Sequence, residues 1–239
     1  VQVSTNKDKS IGASFHAQTK NRRGQLPSVT GKTAPAFKVY ANPLEVAALP
    51  VPYLKNGRGL WGALSRTREQ ISEGGLLKQQ QISQILWSAA GFTFGRQRTH
   101  ISVTGISSIE TYVVARSLQD IFPGLYHYNP RDHTLEYLRR GDLGDDLTNA
   151  LLAEVDVDAY AAVLAFTGVP DRLKDGADSR AYRYLYYEVG AAAQCAVLAA
   201  VGLDLVATVQ AGFYDDELAT LLQVDGAGEL PLCLVLLGR

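Results

Sequence analysis

Two pairs of arginines carry chemical potential in this sequence. Arg66 and Arg68 stand two apart in Ser65-Arg66-Thr67-Arg68, and Arg180 and Arg183 stand three apart in Arg180-Ala181-Tyr182-Arg183. A guanidinium fork makes charge-assisted hydrogen bonds to phosphates and carboxylates, so the first pair suits an anionic ligand. The second pair approaches one helix face and suits either a ligand contact or a salt bridge to an acidic neighbour. Charge is unevenly spread around them. Residues 1–78 hold 12 Lys and Arg against 4 Asp and Glu, whereas residues 79–239 hold 11 against 20. A basic first third fits either a segment laid across the acidic body, its own or a partner's, or an anion bound near Arg66 and Arg68. Nucleic acid is not expected, because Arg22, Arg23, Lys32 and Lys38 are scattered among Pro, Gly, Ser and Thr without a binding module.

Compact cofactor and catalytic motifs are missing. There is no Gly-x-Gly-x-x-Gly after a strand, no Walker-type loop, no nucleophile elbow and no His-Glu-x-x-His. His16, His100, His127 and His133 lack metal-ligand spacing, and His127 and His133 read as decorating opposite arms of a hairpin. Asp215-Asp216-Glu217 reads as the acidic opening of a helix. Cys195 and Cys233 lie far apart in apolar sequence and are expected as core thiols. No apolar run approaches the roughly 18 residues that cross a bilayer, and the polar opening is not a secretory signal. A cytoplasmic protein without a membrane segment is expected.

The elements that must position these residues follow from the hydrophobic pattern. At 239 residues, 46% hydrophobic and 20% charged, the chain has room for one globular domain and a smaller appendage. Residues 1–57, with Pro27, Pro35, Pro43, Pro50 and Pro52, read as an extended arm anchored by Phe37, Val39, Tyr40, Leu44, Val46 and Leu49. Residues 58–239 form the domain. Helices are expected over about Leu60–Ile71, Leu77–Ala90, Leu143–Leu152, Ala181–Ala200 and Glu217–Leu222. Strands are expected at Glu110–Ala115, in a hairpin around Leu125–Tyr128 and Thr134–Leu138, and at Ala162–Thr167, Leu205–Val209 and Leu232–Leu237. Helices around a small sheet, without the regular βαβ rhythm, make an α+β fold.

Several segments, in order and spacing, resemble one family. They are Ile85-Leu86-Trp87-Ser88-Ala89-Ala90-Gly91, the run from Ser102 to Ala115 with Glu110-Thr111-Tyr112-Val113-Val114, and Pro123-Gly124-Leu125-Tyr126-His127-Tyr128. Further on come Arg180-Ala181-Tyr182-Arg183-Tyr184, the helix with Glu188, Gly190 and Gln194, Gly212-Phe213-Tyr214-Asp215-Asp216, and the ending Asp225-Gly226 to Leu232 with Gly238. Together they resemble the SagB-type dehydrogenases, a branch of the FMN-dependent nitroreductase-like superfamily that includes azoline oxidases.

The resemblance implies a nitroreductase-like α+β fold, with a small, mostly antiparallel central sheet surrounded by helices, in an intertwined homodimer. It implies FMN at each of two interfacial sites, and hydride transfer between flavin and an organic substrate such as a small molecule or heterocyclised peptide. A partner enzyme from a biosynthetic cluster is implied as well. Arg66 and Arg68 would hold the phosphate, while Ser102, Thr104, Gly105, Arg180, Arg183, Gln194 and Gly212 would complete the cofactor site. Lys174 and Tyr182 would stand beside the reacting carbon. The chain departs from the pattern at Ile101-Ser102-Val103-Thr104-Gly105, where the family shows Pro-Ser-x-Gly-Ala, and at Asp175, where a tyrosine usually follows the lysine. A β-branched residue adds bulk in a loop built for close approach to a planar ring. Asp175 would also stabilise the ammonium form of Lys174 and so oppose its action as a base. These departures leave open an alternative: a catalytically impaired relative serving as a structural or peptide-binding subunit.

Overall fold

The computed structural model describes residues 10–20, 35–55, 57–66, 75–93, 97–103, 105–152, 155–173 and 180–239. Its centre is an antiparallel sheet built from β1 (Glu45–Ala48), β2 (Ile109–Ala115), β3 (Gly124–Asn129), β4 (Thr134–Arg140), β5 (Ala162–Gly168), β6 (Val206–Gln210) and β7 (Leu230–Gly238). The strand order is β1-β4-β3-β2-β5-β7-β6. Every residue of β2, β3 and β5 is buried, so these strands read as continuous runs rather than as an alternation of apolar and polar positions.

Both faces of the sheet are covered. On one lie α3 (Gln79–Ala90) and α5 (Ala181–Gly202). There Ile82, Ile85, Leu86 and Ala89 share a core with Ala192, Ala196, Phe166 and Val235. The small side chains of α5 let α3 approach it closely, and α2 (Leu60–Leu64) packs on the same helix. On the other face, α4 (Gly144–Ala150) and α6 (Asp215–Leu222) close over Val114, Val163 and Leu236. α5 is long and apolar enough by composition to span a bilayer, but half of its apolar window is buried in the protein and it serves as the core helix.

The periodic segments take their expected types, with ends shifted by a few residues. The helix expected from Leu60 is described as far as Leu64, and residues 67–74 lie outside the described residues. Asp215, Asp216 and Glu217 occupy the first turn of α6, without a side-chain cap. Cys195 and Cys233 are both free, the latter buried.

The arm has more structure than its composition indicates. It contains α1 (Ile11–Gln18), capped by Ser10, whose hydroxyl accepts the Ala13 amide at 3.2 Å. It also supplies β1, which pairs with β4 at the sheet edge. β1 is only four residues long and mostly exposed, so no alternation betrays it; it exists because β4 offers an unpaired edge. Leu49 is buried and Tyr40 packs against the second core, whereas Val39, Leu44 and Val46 stay exposed.

Candidate functional site

The loop between α3 and β2 is tied to α5 by one carboxylate. Glu188 is buried and accepts at Oε1 from the Ser102 hydroxyl (2.9 Å) and the Val103 amide (3.1 Å). At Oε2 it accepts from the amide and hydroxyl of Ser108, at 2.8 and 2.6 Å. An ionised carboxylate is acceptor-only with about four lone-pair sites, so four donors satisfy it and hold the loop in one shape. Within that loop Gly105 has φ +79, and a Cβ built there would meet nothing within 4 Å. Ile101 is 74% exposed.

A cavity of about 480 Å³ lies under the loop, walled by Phe37, Phe92, Arg98, Ile101, Ser102 and Ile106. That is within the size range of small-ligand sites. His100 borders it as a neutral imidazole: burial and the nearby Arg98 charge keep it below its usual range. Its Nδ1 lies 2.8 Å from the Ala89 carbonyl and therefore carries the proton.

The other residues named from the sequence are distributed along α5. Arg180 donates to the Thr19 carbonyl (2.6 Å) and Arg183 to the His16 carbonyl (2.6 Å), so both clasp the end of α1, where carbonyls attract cations. Tyr182 packs with Leu173, Ala181 and Leu185 near the same end. Gln194 is exposed on α5, and the Gly212 carbonyl accepts from the Leu152 amide (3.1 Å) on the opposite side of the sheet. Arg66 lies 3.5 Å from Asp204, beyond the far end of α5. From Glu188 to that end the helix runs roughly 20 Å, which separates Arg66 from the Ser102 loop within one chain. Arg68, Thr104 and Lys174 lie outside the described residues.

A second constellation was not foreseen. On the α4/α6 face, His127 on β3 stands between two carboxylates, with Nδ1 2.8 Å from Glu136 and Nε2 3.0 Å from Glu110. Carboxylates only accept, so both ring nitrogens donate and His127 is an imidazolium. Burial alone would depress it, but the hydrogen bonds it donates to Glu110 and Glu136 outweigh that and raise its pKa. Glu110 is buried too, yet His127 and Arg172 hold it down to about 2. Nearby, Lys38 Nζ reaches Glu229 (2.5 Å) and the Tyr112 hydroxyl (2.9 Å). Three carboxylates, Glu110, Glu136 and Glu229, thus meet three cations, Lys38, His127 and Arg172. The arm is part of this network: the Lys38 amide donates to Glu110 and the Tyr40 amide to Glu136. Beside it a cavity of about 740 Å³ is bordered by Lys38, Arg172, Asp225 and Glu229.

The signal for this network was present in single residues. Glu110 interrupts an apolar strand two positions from Tyr112, and alternation puts both on one face. His127 pairs directly with Glu136 and with Tyr112, but those pairings depend on strand order.

The comparisons with known proteins agree with this architecture. The model of the nitroreductase family matches residues 75–239. A nitroreductase-family protein of Methanocaldococcus jannaschii is 29% identical over 164 residues, 68% of this chain and 81% of its own length. A crystal structure of a nitroreductase-family protein from Ralstonia eutropha is 26% identical with a TM-score of 0.67, covering 87% of this chain and 98% of that one. A chain of the Escherichia coli microcin synthetase McbBCD complex, with truncated pro-MccB17 bound, shares the fold at 20% identity and a TM-score of 0.61, covering 85% of this chain and 78% of that one. The chain belongs to the nitroreductase family.

Proposed function

We propose that this protein is an FMN-dependent oxidoreductase of the SagB-type branch, acting as a cytoplasmic homodimer on an organic substrate, either a small molecule or a heterocyclised peptide. The observation that carries the reading is the open edge of the Ser102 loop. Gly105 turns with free space outside it, and a cavity of about 480 Å³ lies beneath, with the largely exposed Ile101 at its wall. A planar ring can lie against main chain where no Cβ intrudes, so the loop fits a flavin. When bound, FMN supplies a two-electron acceptor for hydride.

The chain's own residues divide the remaining work. Glu188 holds the loop in register, Ser102 and Gly105 border the cavity beneath it, and Thr104 is proposed beside them. Arg66 and Arg68 would hold the phosphate, with Gln194 and Gly212 at the rim. Because Arg66 is separated from the loop in one chain, a two-fold partner with α5 antiparallel is needed to bring one copy's Arg66 to the other's loop. The outer face of α5 supports that pairing. Tyr187 is 69% exposed there, Gln194 is exposed, and a Cβ on Gly190 or Gly202 would meet nothing within 4 Å. Arg180 and Arg183 anchor the arm, residues 1–57, to the redox domain, residues 58–239. Lys174 and Tyr182 are the residues proposed beside the reacting carbon. The peptide substrate and a partner enzyme follow from the branch resemblance, to which the shared fold of the microcin synthetase chain adds support.

A second reading, a flavin-free binding subunit, is favoured by one observation. The Ser102 hydroxyl and the Val103 amide are engaged by Glu188, which draws these donors away from a ligand. The visible spectrum of protein purified from riboflavin-fed cells, followed by FMN titration, separates the two. Stoichiometric flavin that bleaches with substrate under anaerobic conditions is the expected result. Colourless protein that ignores added FMN would overturn the redox reading.

A further inference from the structure

The cavity under the Ser102 loop carries a charge that forms no ion pair among the described residues. Arg98 lines it, and among the described residues none of the lining side chains is acidic. One arm of the guanidinium, Nη1, donates to the Ala90 carbonyl at 2.5 Å, and the group stacks 4.5 Å over the Phe92 ring. Its Nε and Nη2 have no acceptor among the described residues, yet they are not sealed from solvent, which leaves them open to the cavity they border.

The carboxylates that act on Arg98 through space are already satisfied. Glu188 takes four donors from Ser102, Val103 and Ser108. Glu110 takes Arg172, His127 and the Lys38 amide. Neither can turn to Arg98 without abandoning stronger partners. Burial lowers the pKa of Arg98, the sign of a cation short of compensation, although a guanidinium stays charged at any physiological pH. His100 adds no second charge, because its Nδ1–H is used by Ala89 and its Nε2 faces the Ser107 hydroxyl at 3.4 Å.

We propose that Arg98 makes this cavity a receptor for a monoanionic organic ligand: an apolar or aromatic body bearing one carboxylate. The charge is balanced by one negative unit, whereas a phosphate dianion asks for more than one cation. Phe37, Phe92, Ile101 and Ile106 supply the apolar wall for the body. Free guanidinium donors supply the charge-assisted pair for the carboxylate. The inference names the substrate class of the site proposed above, and so rests on that reading.

Benzoate and its neutral analogue benzamide, titrated calorimetrically into the full chain as purified, test it. Benzoate is expected to bind saturably and more tightly than benzamide. Arg98→Gln keeps a donor for the Ala90 carbonyl and should weaken benzoate by about ten- to a hundredfold, the usual worth of a hydrogen bond to a charged group. Arg98→Lys should retain most of the affinity. Gln97→Glu, an exposed position in the lining, should weaken benzoate several-fold without touching Arg98 and covers the case in which Arg98→Gln unfolds. Equal binding of benzoate and benzamide, no saturable benzoate binding, or unchanged affinity in Arg98→Gln and Gln97→Glu would each overturn the proposal. If Arg98→Gln instead erases a preference for FMN over riboflavin and leaves benzoate unmoved, the guanidinium holds the flavin phosphate and the carboxylate assignment falls. Flavin absorbance of the same samples reads the redox proposal separately: flavin retained without benzoate binding sinks only this inference, and benzoate bound without flavin sinks the redox proposal and leaves Arg98 as a carboxylate receptor without a substrate role.

Discussion

Glu188 on α5 accepts both the main-chain amide and the hydroxyl of Ser108, at 2.8 and 2.6 Å, and so fixes the point where the Ser102 loop enters β2. A core helix and a candidate ligand loop are thereby made one rigid unit. Any ligand that lies on the loop is positioned by a residue it need not touch.

Replacing this carboxylate should therefore affect stability and ligand binding together. In Glu188→Gln one acceptor becomes an amide donor that faces other donors. The expected cost is about 2–3 kcal/mol in urea unfolding, with weaker flavin retention. An unchanged unfolding midpoint would show that the loop does not depend on Glu188.

Stability should depend on pH through His127 and Glu110. The His127 pKa is raised on folding, so its contribution is complete below the unfolded value near 6.5 and is lost as pH rises through the folded value. Glu110 is held down to about 2, so its contribution is complete above about 4.5 and is lost as pH falls toward 2. Unfolding midpoints should therefore plateau between these limits and decline on both sides. Nitrogen chemical shifts should show both His127 ring nitrogens protonated at pH 7.5; a neutral ring there contradicts the ion-pair assignment.

Lys38 reaches from the arm to Glu229, which is almost fully buried. Lys38→Met removes the cation and leaves the carboxylate without its ion pair, at an expected cost of about 2–4 kcal/mol. Adding Glu229→Gln should recover part of that loss, because the unpaired charge goes with it. A double variant as unstable as the sum of the two single ones would mean that the residues act independently.

The outer face of α5 should mediate self-association. Tyr187→Glu places a charge on an exposed position of that face and should leave folding intact while yielding a monomer in light scattering. A dimer of unchanged affinity would move the interface elsewhere.

Much of the fold was legible in local pattern. Ala162–Thr167 is a continuous apolar run because β5 has both faces covered, and α5 declares itself through Leu185, Val189, Ala192 and Ala196 at helical spacing. β1 was not legible, since its four residues carry no alternation and their strand conformation comes from pairing with β4. The arginines near Arg180 were recognisable as cation sites, but what they grip are carbonyls of α1, more than 160 residues earlier in the chain.

Periodicity and motif order by themselves determined the element types, the α+β class and the family resemblance, because these depend on contacts between near neighbours along the chain. Only the tertiary structure decided which charges meet. Glu110, His127 and Glu136 sit on three adjacent strands whose order is not written in any one segment, and Arg98 lines a cavity that has no acidic side chain among its described lining residues. Electrostatic partnership is a property of distance in space, and a linear sequence records that distance only after the sheet has set its register.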